Sequence, residues 1–246
     1  MKKLQNNIPE TGHTYTEYRI ITETCILIYK KLGFTPLQVL EEVRPFLSES
    51  DQKKITFVGR LDPMAEGNIH LLWSGDMEEK QKIQDQDKEY VVEVLLGVQT
   101  DTGDVLGPIT TIQDGPSNFD KEVLKNLIGP FVHDYPAYSS PHIKKVLKGE
   151  KVIHKKQDGY IYQIEDLGLV TYSSVELKDV IFNKLSQCSM EGDFRLDQVK
   201  QGWNDFFENN ENTFTILTLK VKCKSGTYMR VLARELGGLA LSIVRK

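Results

Sequence analysis

Residues Gly59 to Gly67, GRLDPMAEG, set one carboxylate, Asp62, between a leucine and a proline with a glycine at each end. An ionised carboxylate presented on a loop can act as a nucleophile or a general base. The same residues also read as a plain turn: Asp before Pro is held away from αR, and Asp62 can cap a short helix with Pro63 at its first position. Arg230, in GTYMRVLARELGG, is the second group of interest. With Thr227 as N-cap it takes the third helical position, where the macrodipole disfavours a cation by up to ~1 kcal/mol. A carboxylate partner is the natural compensation, because a charge-assisted Arg pair keeps an acid ionised and oriented; the alternative is a solvated arginine on a frayed first turn. Asp101-Thr102-Gly103 has the DTG of aspartic proteases, which need two carboxylates sharing a proton. One copy is present, Val98-Gln99-Thr100 before it is not the apolar strand that would bury a dyad, and a polar turn accounts for the residues.

Other chemistries find no support. The sequence has no phosphate-binding P-loop, GxGxxG, HExxH or GxSxG motif. Cys25, Cys188 and Cys223 are odd in number, widely spaced and in no CxxC pair, so neither a disulfide framework nor a zinc site is indicated, and each reads as a small buried hydrophobe. MKKLQNNIPETG has two lysines but no apolar region behind them, and CILIY at Cys25 to Tyr29 is too short to span a bilayer, so a cytoplasmic protein without membrane contact is expected. The net charge of −4 argues against general coating of polyanions. It leaves room for a local basic face: HIKKVLKGEKVIHKK, His142 to Lys156, carries Lys144, Lys145, Lys148, Lys151, Lys155 and Lys156 against Glu150 alone. Converging cations of this kind suit an RNA backbone, and a solvated lysine-rich loop is the alternative.

The elements that must position these groups can be read from periodicity. Length and the absence of a linker or repeat favour one domain over residues 1–246, with residues 1–18 as an N-terminal extension. Arg19 to Tyr29 reads as extended, and TPLQVLEEVRPF as a helix with Thr35 as N-cap, Pro36 at N1 and Gln38 at N3 of a capping box. NIHLLWSGD and YVVEVLLG read as strands, TDTGD as a polar turn, and Asp120 to Leu127 as a short helix. Tyr160 to Ile164 and Ser174 to Phe182 are β-rich, while Gln113 to Asn118 and Asn209 to Asn212 look like loops. FTILTLKVKCKSG alternates as a half-buried strand, and TYMRVLARELGG places Met229, Leu232, Ala233 and Leu236 on one helical face. Without a steady βαβα rhythm, the pattern predicts an α+β fold.

Taken in order, Gly59-Arg60-Leu61-Asp62-Pro63-Met64-Ala65-Glu66-Gly67, Lys88-Glu89-Tyr90 with Leu96-Gly97, Thr100-Asp101-Thr102-Gly103-Asp104 with Gly107, Pro136-Ala137-Tyr138-Ser139, and Cys223 through Gly226-Thr227-Tyr228-Met229-Arg230 to Leu236-Gly237 resemble the motifs of TruB-type pseudouridine synthases. Ile26 to Thr35, with Lys30 and Gly33, is similar to their opening segment, and the resemblance runs from about Ile26 to Lys246. It implies a pseudouridine-synthase-like mixed, largely antiparallel sheet flanked by helices. It also implies an RNA pseudouridine synthase acting on structured RNA, above all the T arm of tRNA, as a monomer without metal or organic cofactor. By the same resemblance Asp62 is the catalytic aspartate, Arg230 its partner and Tyr90 the ring that holds the flipped base. Lys30, Phe57, Gly59, Leu61, Tyr138, Tyr228 and the Leu71 to Trp73 strand then bind substrate or shape the pocket. An RNA-binding or RNA-chaperone protein that keeps this fold without catalysis is the rival, and joint retention of Asp62, Tyr90 and Arg230 favours the enzyme.

The departures from the family pattern are specific. Phe57 stands where the family carries a histidine, five residues before the aspartate; Lys31 replaces the proline of the opening segment; and Pro141-His142 follow Tyr138-Ser139 where a lysine is expected. The sequence reaches Lys246 soon after the Arg230 helix, so a catalytic domain without a C-terminal PUA-like domain is expected.

Overall fold

The computed structural model describes residues 8–113, 119–134, 156–188 and 195–246, which group into two compact units: residues up to Gln86 with Val244–Lys246, and Asp87–Ile243. Each is built on antiparallel strands flanked by helices, the α+β arrangement that the mixed pattern predicts.

In the first unit β1 (Tyr15–Thr22) and β2 (Cys25–Lys30) form a hairpin, and β2 pairs antiparallel with β4 (Ala65–Leu72), which also carries the short β3 (Thr56–Val58). The stretch from Arg19 to Tyr29 therefore folds back on itself instead of running as one strand. Thr22 and Cys25 face each other across Glu23-Thr24, where polar residues interrupt the apolar run. Helix α1 (Pro36–Val43) starts as its sequence dictates: the Thr35 hydroxyl accepts from the Gln38 N–H, Gln38 reaches back to the Thr35 N–H, and Pro36 needs no donor at N1. Its buried face, Val39, Leu40 and Val43, belongs with Ile26, Ile28, Ile69 and Leu71 to the apolar interior of this unit. Helices α2 (Glu49–Gln52) and α3 (Met77–Asp85) complete it, α3 capped by Asp76.

In the second unit the strand order is β11-β5-β10-β9-β8, with β5 (Lys88–Leu96), β8 (Gly129–Asp134), β9 (Lys156–Tyr172), β10 (Phe214–Cys223) and β11 (Gly238–Arg245), whose last two residues belong to the first unit. A separate pair, β6 (Val98–Thr100) and β7 (Ile109–Ile112), frames the TDTGD turn. Strands β5 and β10 lie where YVVEVLLG and FTILTLKVKCKSG read as strands, in register from Ile216 opposite Leu95 to Cys223 opposite Lys88. The short helix α4 (Glu122–Asn126) also lies where expected.

Ser174 to Phe182, which composition marks as β-rich, is instead part of helix α5 (Ser174–Gln187). Ser173 and Glu176 form a capping box, and Leu177, Ile181 and Leu185 recur every four residues on its buried face. Tertiary packing of that stripe overrides the β preference of Val175, Val180, Ile181 and Phe182. Helix α6 (Leu196–Glu208) buries Val199, Trp203, Phe206 and Phe207, and the Trp203 indole N–H donates to the Val105 carbonyl at 3.1 Å. Helix α7 (Met229–Glu235) carries Arg230. The three cysteines are free and buried, and burial pushes the Cys25 and Cys223 thiols up to about 11 and 12, which leaves them inert.

Ile8 to Thr14, assigned from sequence to an extension, are ordered against α1. Glu42 accepts from the His13 N–H at 2.6 Å and the Thr14 N–H at 2.8 Å, and the Tyr15 hydroxyl donates to the Pro9 carbonyl. Burial alone would raise the Glu42 pKa, but the hydrogen bonds from Thr14 and His13 outweigh it and hold the carboxyl below its usual 4.5. A depressed folded-state pKa contributes stability that is present above the unfolded value and lost as pH falls through the folded one. Glu42→Gln is thus expected to cost about 1–2 kcal/mol at pH 7, discounted for partial exposure. That gap should close as pH falls below 4.5, measured by urea denaturation of both proteins at matched pH.

Candidate functional site

The loop between β3 and β4 is assembled inside the first unit. Ala65 N–H donates to the Asp62 carbonyl at 3.0 Å, closing a turn with Pro63 next to Asp62, and β4 begins at Ala65. No helix follows Pro63, so Asp62 sits on a turn and does not cap a helix. Asp62 is half-buried, and Leu61 and Met64 beside it are buried and anchor the loop.

Three donors take up the loop's carbonyls. The Gly33 N–H donates to the Pro63 carbonyl at 2.8 Å. Lys30, fully buried, donates from Nζ to the carbonyls of Ala65, Phe34 (2.8 Å) and Lys31 (2.9 Å). Arg245, 4% exposed, donates from Nε to Asn68 (2.7 Å), from Nη1 to Arg60 (3.0 Å) and from Nη2 to Gly59 (3.4 Å), all main-chain oxygens. Lys30, read from sequence as substrate-binding, is thus placed as a brace on the Asp62 loop. Arg245 was not expected from sequence. The available signal was period 2 in β11, which puts Leu239, Leu241, Ile243 and Arg245 on one buried face.

Both glycines of GRLDPMAEG are explained by Arg245. Gly59 has φ +81°, and a Cβ there would lie 3.3 Å from an Arg245 guanidinium nitrogen. Gly67 has φ +119°, and a Cβ there would lie 2.1 Å from the Arg245 carbonyl oxygen. The first glycine admits the guanidinium under the loop and the second admits the backbone that carries it. Phe57, on β3 opposite Leu71, is half-buried two residues before Gly59, and Leu71 and Trp73 are buried.

The second unit holds Tyr90, Tyr228, Arg230 and Lys156. Tyr90 is half-buried on β5, opposite Val221 of β10. Helix α7 is capped at Tyr228, one residue later than expected, so Arg230 takes its second position. The Thr227 hydroxyl instead donates to the Lys224 carbonyl and accepts from the Tyr160 N–H. Arg230 is 4% exposed, which removes the reading of a solvated arginine on a frayed turn. It donates to the Thr102 carbonyl at 2.9 Å and lies 3.7 Å from a carboxylate oxygen of Asp104, itself 3% exposed. Asp104 in turn accepts from the Thr102 hydroxyl at 2.7 Å and the Leu106 N–H at 3.0 Å, and Gly103 at φ +77° lets the loop close over the Arg230 backbone. The DTGD turn is therefore a cradle for a buried cation, and Asp101 pairs with Arg195 at 2.9 Å.

The Tyr228 N–H meets Nε2 of buried His133 at 3.5 Å, with the two rings edge to face at 5.5 Å. Lys156 is exposed at the start of β9. Tyr138, Lys144, Lys145, Lys148, Lys151 and Lys155 lie outside the described residues. Among those described, no cluster of His, Cys, Asp or Glu is arranged to hold a metal ion, and no helix is long and apolar enough to cross a membrane.

The fold is similar to that of a chain in the crystal structure of a Cbf5-Nop10-Gar1 complex, with a TM-score of 0.51 at 17% identity, covering 89% of this chain and 46% of that one. Residues 48–178, more than half of the sequence, match the TruB family pseudouridylate synthase (N terminal domain), and the chain belongs to that family. It is similar to the tRNA pseudouridine synthase B of Prochlorococcus marinus subsp. pastoris, 27% identical over 221 residues that cover 89% of this chain and 60% of the relative. It is also similar to that of Francisella tularensis subsp. tularensis, 25% identical over 222 residues, covering 86% and 58%. The chain spans about three fifths of the length of these relatives.

Two outcomes test the geometry directly. Gly67→Ala is expected to destabilise the protein by at least about 3 kcal/mol, because a left-handed φ and a main-chain clash combine there. Asp104→Ala, which removes the carboxylate 3.7 Å from Arg230, should cost about 1–3 kcal/mol, with part recovered in the Asp104→Ala, Arg230→Met double variant. Equilibrium denaturation of the variants measures both.

Proposed function

We propose that the protein is an RNA pseudouridine synthase, a single catalytic domain that isomerises a uridine in structured RNA, foremost the T arm of tRNA, in the cytoplasm and as a monomer. The observation that carries this reading is the Asp62 loop: in a member of the TruB family, a half-buried carboxylate sits on a turn whose main chain is held by two buried cations. The two relatives described above bear names that specify tRNA.

The reaction breaks the N1–C1′ bond of uridine, turns the uracil while it is held, and joins its C5 to the same sugar carbon; the proton on C5 is lost and N1 gains one. Neither oxidant nor energy source is consumed. Asp62 serves as the carboxylate nucleophile or base, which an ionised loop aspartate is suited to do. Arg230 is its partner, contributing the planar guanidinium that a lysine cannot reproduce. The uridine is extruded from the RNA to react, and the Tyr90 ring holds the flipped base; Tyr228, Leu61 and Tyr138 serve in binding the substrate. Phe57 replaces an imidazole by an aromatic face, which stacks but neither donates nor accepts hydrogen bonds, so recognition of the RNA loop is altered while the chemistry persists. Lys156, with Lys144, Lys145, Lys148, Lys151 and Lys155, supplies contacts to RNA phosphates.

Release of tritium from C5-labelled uridine in a tRNA transcript tests this reading. Wild-type protein is expected to release it stoichiometrically with pseudouridine formed, and Asp62→Asn to reduce the rate by at least about 1000-fold while retaining RNA affinity. RNA binding without tritium release by the wild type would establish the silent RNA-binding alternative, and full activity in Asp62→Asn would remove the aspartate from its role.

A further inference from the structure

Arg245 holds a position that the proposed chemistry does not itself explain. It is a cation almost without solvent, yet its nearest polar neighbours in the first unit are main-chain carbonyls: those of Gly59, Arg60 and Asn68. Two of these precede Asp62 by two and three residues, and the third lies in β4 just past it. The fork thus ties the entry of the loop to the strand that leaves it, across the carboxylate's own turn.

Geometry makes the tie specific to arginine. Three bonds leave from three different nitrogens, in one plane, toward oxygens at 2.7 to 3.4 Å. A lysine in its place offers its three donors from a single nitrogen, whereas the guanidinium spreads its donors over three nitrogens in a fixed fork. Gly59 and Gly67 are adapted to this same residue, one to its guanidinium and one to its backbone, so three positions of the sequence serve a single contact. Lys30 and Gly33 take up the Ala65 and Pro63 carbonyls on the exit side of the turn, and Arg245 takes up those of Gly59 and Arg60 on the entry side.

We propose that Arg245 is the positioning residue of the reaction: it acts through the main chain of the Gly59–Asn68 loop to fix where the Asp62 carboxylate is presented. The proposal rests on the reading of Asp62 as the reacting group. Misplacement of a reacting atom by about 1 Å is enough to lower a rate about 100-fold, so loss of the fork should act on turnover more than on RNA affinity.

Arg245→Ala and Arg245→Lys in the full chain test it by two independent readouts. Hydrogen exchange on the protein without RNA should show the Ala65 amide, which closes the turn on Asp62, exchanging at least about tenfold faster in both variants, with the Ile28 and Ile69 amides of β2 and β4 unchanged. Single-turnover tritium release should fall about 100-fold in Arg245→Ala with RNA affinity within about threefold, recover in part on addition of guanidinium chloride at millimolar concentration, and stand higher in Arg245→Lys than in Arg245→Ala. Unchanged exchange at Ala65 overturns the proposal. So does a parallel loss of rate, RNA affinity and Ile28/Ile69 protection without guanidinium rescue, which describes general destabilisation. If the exchange result holds but the wild type releases no tritium from RNA, Arg245 still fixes the loop and it is the assigned reaction that fails.

Discussion

A cation removed from water must be surrounded by oxygen acceptors, and the penalty for failing to do so is several kcal/mol per ion. In the first unit that requirement falls on Lys30 and Arg245, and main-chain carbonyls meet it: those of Lys31, Phe34 and Ala65 for Lys30, and those of Gly59, Arg60 and Asn68 for Arg245. Cations and loop therefore depend on each other. The irregular backbone leaves carbonyls unpaired, which would be costly in a buried setting, and the two side chains satisfy them from below. A loop held in this way keeps one conformation even though it lies outside any ladder, which is the property a reacting carboxylate needs.

The second unit solves a similar problem with a different set of groups. Arg230 has a carboxylate, Asp104, and a carbonyl, Thr102, on the DTGD turn; the Thr102 hydroxyl donates to that carboxylate, and the Thr100 hydroxyl donates to the Asp104 main-chain carbonyl. The Ala240 N–H donates to the Gly103 carbonyl, so β11 and α7 bear on the same turn from two sides. What looks in the sequence like a solvated polar connection carries a buried carboxylate, Asp104, that accepts from Thr102 and Leu106. Burial of the Arg230 guanidinium also answers why a cation is tolerated in the first turn of α7: the helix dipole disfavours it by less than the cradle stabilises it.

Local signals were legible wherever a short-range interaction decides the structure. The Thr35–Gln38 capping box with Pro36 places the start of α1 to the residue, an apolar run marks β5, and alternation marks β10. Where the local signal was ambiguous, packing decided. Ser174 to Phe182 contains enough Val, Ile and Phe to read as strand, yet Leu177, Ile181 and Leu185 share a helical stripe that can be buried only if the segment is helical. The break at Glu23-Thr24 was equally hard to see, because a two-residue polar interruption between apolar runs is compatible with either one strand or a hairpin. Tyr228 rather than Thr227 takes the N-cap position of α7, without a side-chain capping bond, and the Thr227 hydroxyl is engaged with β9 and the preceding turn, a long-range competition that a capping preference cannot anticipate.

By itself, the sequence determined the family, the α+β class and the identity of the loop that bears Asp62, since these rest on ordered motifs and on periodicities of two and 3.6 that any short window displays. Tertiary structure alone decided what each charged residue touches. Lys30 turns inward to the loop carbonyls, Asp104 becomes a counter-ion, and Arg245, 186 residues from Gly59 in the sequence, proves to be the reason for both glycines around Asp62. The physical reason is range: backbone preferences act over a few residues, whereas the desolvation of a charge is settled by whichever acceptors the completed fold brings to it.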